Sequence, residues 1–298
     1  MMFRANFIKF IFRNIPLPQG DLWHYESQNF YKISCIFVFW KRIFLMKNIL
    51  NCLVEQNFDK NQFEIILIED RGGSKEGKKL KDEFNLNISY FAPLNNWGKM
   101  GYMRNYGLSK AKGEIVLFLD DDTVILDKEF LLKLVDFFDK DIQLMAVIPK
   151  GNSSFCLIHS RYSYHDPYFF TNRCMAYRRS CLLELNGFCN NFIGQEDVEF
   201  AIRFLAKGYK YIKTEKIQYF HPPFIIKDLK KPQAVGFSFA RSSYSFPIKI
   251  LLGLNGSRWL YRFLFPTLKN RYMGKFAIGF LIGFLKGIFK KDNEIFYV

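Results

Sequence analysis

The chain reads as an α/β protein built on a mixed, mainly parallel sheet with helices on both faces. Three observations predict this. Short, nearly continuous apolar runs recur at residues 33–39, 63–68 and 115–119, as expected of strands buried on both faces. Between the first two, Leu45, Ile49, Cys52 and Leu53 recur at helical spacing. Carboxylates follow the second and third runs, and in such sheets ligands bind beyond the carboxyl ends of the strands.

The composition suits a folded chain. It has 298 residues, 49% of them apolar and 24% charged, which excludes a disordered chain. At roughly 100–200 residues per domain the length gives one large domain or two small ones. Lys and Arg number 43 against 28 Asp and Glu, a net charge of +15. A surplus of that size points to an anionic partner: nucleic acid, acidic lipid or a phosphorylated substrate. A spanning helix needs about 20 apolar residues. The best stretch, 276–285, lies between Lys275 and Lys286, so no transmembrane helix is expected. Arg4, Lys9 and Arg13 interrupt the apolar core that a signal peptide requires, and the protein is expected on the cytoplasmic side. Six cysteines, Cys35, Cys52, Cys156, Cys174, Cys181 and Cys189, show no C-x-x-C pair and read as small core residues.

Along the chain, residues 1–31 mix Phe and Ile with Arg and Lys before Pro16, Pro18 and Gly20, and read as an arm. Residues 32–226 carry the α/β pattern. Glu69 and Asp70 end its second strand; Asp120, Asp121 and Asp122 end the later one. Three adjacent carboxylates repel one another unless a cation or strong donors sit among them, although an acidic turn capping the next helix has the same composition. Between the two acidic sites, residues 95–108 read as a turn feeding a helix, with Lys99 and Arg104 near its start. A helix N-terminus with nearby cations suits a diphosphate. Carboxylates and a diphosphate can share one hard divalent cation, so the combination suggests a nucleoside-diphosphate site.

These residues, in this order, resemble family 2 glycosyltransferases of the GT-A fold across roughly residues 32–223. The resemblance rests on the 64–70 strand, Arg104-Asn105 with Gly107-Leu108, Ala111-x-Gly113-Glu114, and Phe118 to Asp122. It continues through Gly187-Phe188, Glu196-Asp197-Val198-Glu199 with Arg203, and Gly208-Tyr209. It implies an inverting transfer of a sugar from a nucleotide-diphosphate donor to a saccharide acceptor. Asp70, with Glu69, would face the nucleotide base. Asp120-x-Asp122 resembles the D-x-D motif, Asp120 on the ribose or metal side and Asp122 on a bridging Mn²⁺ or Mg²⁺, with Asp121 beside the donor. Lys99 and Arg104 would meet the diphosphate. Asp197, paired with Glu196, resembles the catalytic base, and His221 stands where a further metal ligand is found. The pattern breaks at Phe39-Trp40-Lys41-Arg42, where a Pro and an Asn are usual. It breaks again at Glu69-Asp70-Arg71-Gly72, where Asp-Asp-Gly-Ser is usual. Both changes touch the base pocket and leave UDP, GDP and dTDP open.

The chemistry of the residue types agrees with that reading. An inverting transfer needs a base opposite the leaving group and a Lewis acid for the charge growing on it. Segment 188–195 would carry Asp197 over the donor, anchored by the stripe Val198, Ala201, Ile202 and Leu205. Each residue also has a plainer reading. Glu196 and Asp197 suit the first turn of any helix, His221 precedes two prolines at a strand end, and Lys99 and Arg104 suit a solvated helix face. His24, His159 and His165 have no partner spacing, and Trp97 reads as packing.

From residue 227 onward thirteen basic residues face three acidic ones, a surplus of ten. Between them run aromatic and Leu-rich stretches at 259–265 and 276–285, the composition of an amphipathic helix lying on an anionic membrane surface. The plainer reading is a helix pair packed on the catalytic domain, or a homodimer contact. A peripheral position on the inner face of the membrane would suit a lipid-linked glycan acceptor. The alternative to an enzyme is a catalytically silent scaffold of the same fold that holds membrane or a partner. Nucleic acid is not expected as a partner, because the basic residues interleave with apolar runs and no recognition motif accompanies them.

Overall fold

A computed structural model describes residues 2–12, 15–26, 28–153, 170–222, 228–264 and 267–289. In chain order the elements are α1 (Met2–Phe12), β1 (Tyr31–Phe39), α2 (Ile43–Val54), β2 (Phe63–Glu69), α3 (Lys75–Glu83), β3 (Ile88–Phe91) and α4 (Met100–Lys110). Then follow β4 (Gly113–Asp120), α5 (Phe130–Lys140), β5 (Leu144–Ser153), β6 (Cys174–Arg178), α6 (Arg179–Glu184), α7 (Glu196–Lys207) and β7 (Lys210–His221). The C-terminal part holds α8 (Lys230–Arg241), α9 (Phe246–Ser257), a 3-10 segment at Arg258–Leu264 and α10 (Leu268–Phe289).

The seven strands form one sheet in the order β3-β2-β1-β4-β6-β5-β7. β1 pairs parallel with β2 and β4, and β2 with β3. β6 runs antiparallel to β4 and β5, which makes the sheet mixed, as the sequence pattern predicts. Alternate residues of one strand feed opposite cores. Cys35, Phe37 and Phe39 pack with Met46, Ile49 and Leu50 of α2 and Leu134 of α5. Ile36 and Val38 pack with Met103 and Leu108 of α4 and with Phe200 and Phe204 of α7. The buried stripe of α2 is Met46, Ile49, Leu50 and Leu53, whereas Leu45 is exposed.

α7 is covered on both sides. Ala201 and Leu205 join the core of the sheet, while Val198 and Ile202 meet Val235, Phe239, Ile248, Phe280 and Phe284 from α8, α9 and α10. The first residues lie along the same layer: Phe12 packs in that third cluster, and Gly20, Asp21 and Leu22 donate backbone hydrogen bonds to the carbonyls of Leu185, Phe188 and Asn186. By length and composition α10 is apolar enough over Arg271–Phe289 to cross a membrane, Lys275 and Lys286 notwithstanding, and 39% of that stretch is buried inside the protein. Cys35, Cys174, Cys181 and Cys189 are buried free thiols and Cys52 is half-buried; Cys156, His159 and His165 lie outside the described residues.

Candidate active site

The parallel strands β1, β2 and β4 end level with one another, Phe39 opposite Glu69 and Val38 opposite Asp120. Their following residues therefore line one rim. Strain concentrates there: Lys41, Arg71, Asn96 and Gln195 take left-handed backbone angles near +60°, which cost a non-glycine residue about 1–2 kcal/mol each and gather at working sites.

At the end of β4, Asp120, Asp122 and His221 bring one ligand atom each within 4.8 Å of one another. His221 arrives from the far edge of the sheet because Val124 and Phe220 exchange backbone hydrogen bonds of 2.8 and 2.9 Å. Its Nε2 lies 2.8 Å from Asp122 Oδ1 and 3.7 Å from Asp120 Oδ2, and its Nδ1 lies 2.7 Å from the Pro222 carbonyl. A ring that donates from Nδ1 to a carbonyl presents Nε2 as its ligand atom. Burial opposes the charge on Asp120 and Asp122, but the hydrogen bond from His221 and the nearby positive charges, Arg104 for Asp120 and Arg42 for Asp122, together outweigh it and hold both carboxyls below their ordinary range. Burial alone would lower His221; its bonds to the two carboxylates raise it instead. Asp121 differs: burial, reinforced by its two acidic neighbours, pushes it up to about 7 against the pull of Arg42.

Arg42 is the residue that sequence reasoning missed. Its Nη1 sits 2.8 Å from both Asp121 Oδ1 and Asp122 Oδ2, and so partly neutralises the cluster from the end of β1.

Glu196 and Asp197 open α7 directly after the left-handed Gln195. Asp197 accepts from its neighbour Val198 N at 2.8 Å and from Asn172 N at 3.1 Å, which fixes the carboxylate while leaving lone pairs on both oxygens. Asn172 is wholly buried, and among the described residues neither polar atom of its side chain has a hydrogen-bond partner; the Tyr177 hydroxyl is in the same state. Glu196 is 3% exposed. Burial raises its carboxyl, and the Asp197 charge adds to this against the Arg104 guanidinium.

Arg104 was expected beside a phosphate. The structure places it beneath the rim instead: it is 3% exposed, with Nε 2.6 Å from Glu196 Oε1 and Nη2 2.9 Å from Asp120 Oδ1. Both carboxylates claim donors that a diphosphate would need. Glu69 also turns inward. It is 1% exposed and accepts from Ser74 N, Ser74 Oγ and the Tyr90 hydroxyl, so it organises the start of α3. Asp70 faces the rim; it takes the backbone N–H of Gly98 at 2.9 Å and of Arg71 at 2.8 Å, and burial raises its carboxyl despite these bonds. Lys99 is half-buried, with Nζ 3.0 Å from Asn96 Oδ1. Trp97, expected as packing, is 54% exposed, and near it Arg71 stacks on Trp40 at 3.9 Å.

The Arg104-Asn105 and Gly187-Phe188 motifs meet in space. Asn105 donates to the Phe188 carbonyl at 2.7 Å and accepts from its N–H at 2.8 Å. Gly187 beside them has φ of +65°, and a Cβ there would strike Asn105 Oδ1. This clamp fixes the path that leads to Glu196 and Asp197.

Comparison with known proteins identifies the family and the fold. The family model described as Glycosyl transferase family 2 matches residues 34–189, more than half of the chain, and Glycosyl transferase family group 2 matches residues 115–282. The chain is 25% identical over 280 residues to the O-antigen chain rhamnosyltransferase RfbN of Salmonella typhimurium, covering 79% of this chain and 86% of that protein. Over 95 residues it is 35% identical to the poly(ribitol-phosphate) beta-N-acetylglucosaminyltransferase TarS of Staphylococcus aureus, 31% of this chain and 16% of that one. Two solved structures share the fold. The mannosyltransferase PcManGT from Pyrobaculum calidifontis, in complex with GDP-Man and Mn²⁺, superposes with TM-score 0.60 at 16% identity over 97% and 94% of the two chains. TarS 1–349 in complex with UDP superposes with TM-score 0.56 at 19% identity over 83% and 80%.

Proposed function

The chain belongs to glycosyl transferase family 2, and from that premise we propose that it moves a sugar from a nucleoside-diphosphate donor to a saccharide hydroxyl. The transfer inverts the anomeric centre and serves the assembly of a cell-surface glycan, the setting that the names of RfbN and TarS carry. One observation carries the reading: Arg104 holds Asp120, of the metal-type cluster, and Glu196, next to Asp197, on a single guanidinium. A leaving-group site and a base are thereby tied together.

The donor set fits a divalent cation. Two carboxylates and an imidazole within 4.8 Å suit Mn²⁺, and Mg²⁺ less well because it prefers oxygen ligands throughout. Asp120, Asp122 and His221 would hold the ion, which when bound supplies a Lewis acid for the diphosphate charge. Asp70 accepts hydrogen bonds from the nucleotide base, and Lys99 stands at the start of α4 to meet phosphate oxygens. Asp197, oriented by Val198 N and Asn172 N, takes the proton of the acceptor hydroxyl as that oxygen attacks the anomeric carbon. A catalytically silent scaffold would leave this carboxylate set without use.

The acceptor is a glycan carried on lipid at the cytoplasmic face of the cell membrane, a placement supported by the basic surplus beyond residue 227. The deciding experiment is a thermal-shift series with UDP, GDP and dTDP, each with and without Mn²⁺, followed by nucleotide release from the matching sugar donor. A ligand at a hundred times its Kd stabilises the folded form by about 2.7 kcal/mol. One nucleotide should raise Tm in a metal-dependent way. No shift with any nucleotide, and no release from any donor, would remove the reading.

A further inference from the structure

The geometry points to the outer face of α9, together with the 3-10 segment after it, as the surface that seats this protein on an anionic lipid bilayer. α9 is apolar around its circumference, apart from Lys249, Asn255 and the buried Ser257. Ile248, Leu252 and Gly253 face inward, where Gly253 and Gly256 meet the rings of Phe284 and Phe280 on α10. The opposite arc carries Phe246 at 63% exposure, Ile250 at 39%, Leu251 at 44% and Leu254 at 63%. The 3-10 segment that follows in the chain exposes Tyr261 at 48% and Leu264 at 80%. A surface helix ordinarily turns polar side chains outward. A contiguous outward apolar face of this size marks an interaction site.

Charge selects the occupant. No acidic residue stands between Asp228 and Asp292, so the face is embedded in a segment of one sign. Arg258 and Arg262 flank it, their guanidiniums 4.6 and 4.7 Å from the Trp259 ring. Aromatic rings with stacked arginines suit the headgroup layer, where an apolar body and a polar tip are both solvated. A second copy of this chain would bring like charge against like. A bilayer with acidic headgroups offers acyl chains to α9 and anions to Arg258 and Arg262 at once. α10 is the weaker candidate despite its hydropathy, because Ala277, Phe280 and Phe284 are buried and Gly283 sits against the Gln233 carbonyl of α8. The docking face thus begins at Phe246, upstream of the long apolar helix α10. This inference rests on the reading of a membrane-held acceptor and gives it a definite face.

The test is co-sedimentation of the full chain with phosphatidylcholine vesicles, with or without phosphatidylglycerol, at low salt. Wild type should pellet with the anionic vesicles and much less with the neutral ones. Ile250→Gln with Leu254→Gln, both exposed, should weaken binding about tenfold or more, and Arg258→Gln with Arg262→Gln should abolish the preference for anionic lipid. Circular dichroism and the nucleotide thermal shift, measured without vesicles, should be unchanged in both variants. Equal pelleting of wild type and the α9 variant overturns the proposal, as does wild type left wholly in the supernatant. Self-association without lipid, abolished by the α9 changes and unaccompanied by vesicle binding, also overturns it in favour of a second copy. Failure of donor turnover with vesicle binding intact would instead strike the enzymatic reading alone.

Discussion

Asp120 at the end of β4 and Glu196 at the start of α7 share one buried cation, Arg104, which donates to them at 2.9 and 2.6 Å. The guanidinium is 4% exposed and the Glu196 side chain equally so. Removing one partner of a buried pair leaves an uncompensated charge and costs about 3–5 kcal/mol. Arg104→Gln should therefore lower Tm substantially and abolish turnover, and Arg104→Lys should restore part of the stability without the two-pronged geometry. An Arg104→Gln protein with wild-type Tm and activity would mean that the two carboxylates are not coupled through this residue.

Asp197 is predicted to act on the acceptor and not on the donor. Asp197→Asn keeps the shape of the side chain and its acceptor oxygen toward Val198 N or Asn172 N, yet cannot take a proton. Turnover should fall by a factor of about 10²–10⁴, while the metal-dependent thermal shift with nucleoside diphosphate stays at the wild-type value. Loss of the nucleotide shift in this variant would place Asp197 in donor binding.

Arg42 and a divalent cation compete for Asp122. The guanidinium is half exposed and lies 2.8 Å from Asp121 and Asp122, so it repels an incoming cation and occupies one of its ligands. Arg42→Gln should tighten Mn²⁺ binding severalfold, with a steeper salt dependence lost in the variant. Asp122→Asn should weaken it. Calorimetric titration of Mn²⁺ into the three proteins checks the order, and weaker binding by Arg42→Gln would show that Arg42 supports the cation site.

The strands were legible because buried parallel strands leave continuous apolar runs, and the rim carboxylates because a topology of this kind displays strand ends. What failed to show was direction and distance. Glu69 and Asp70 are neighbours in sequence, but backbone alternation sends one inward to Ser74 and Tyr90 and leaves the other at the rim. Arg42 meets Asp122 across eighty positions, and no local pattern encodes such a contact. Composition likewise marked the C-terminal part as basic and apolar, yet could not tell that α10 spends its small residues on α8 while α9 keeps an uncovered face.

Glu64 supplies a pH dependence away from the site. It is 6% exposed, and its Oε1 accepts from Ser34 Oγ and Lys112 N, both at 2.6 Å. Burial raises its carboxyl above the ordinary value even so. The folded state then binds the proton more tightly than the unfolded chain, and stability falls as pH rises from the unfolded pKa through the folded one. Glu64→Gln keeps an oxygen for both donors and removes the charge. Its Tm relative to wild type should be higher at pH 8 than at pH 4, and a constant difference across that range would show that Glu64 pays no penalty for ionising.

The contact between α8 and α10 depends on the absence of side chains. At Gly283 a Cβ would collide with the Gln233 carbonyl, and Gly279 and Gly287, one turn to either side, face Pro232 and Ala240. Close approach of two helix backbones through such residues leaves no room for a larger one. Gly283→Leu should force the pair apart and cost about 1–3 kcal/mol, lowering Tm, whereas Leu285→Ala, whose side chain is 44% exposed, should stay within about 0.5 kcal/mol of wild type. Because α8 also supplies Val235 and Phe239 to the cluster against Ile202 of α7, the loosened pair should carry its effect to the helix that begins with Glu196 and Asp197. The expected signature is a lower kcat with an unchanged nucleotide thermal shift per mole of folded protein. Wild-type Tm and kcat in Gly283→Leu would mean that α10 does not rest on α8 in the working enzyme.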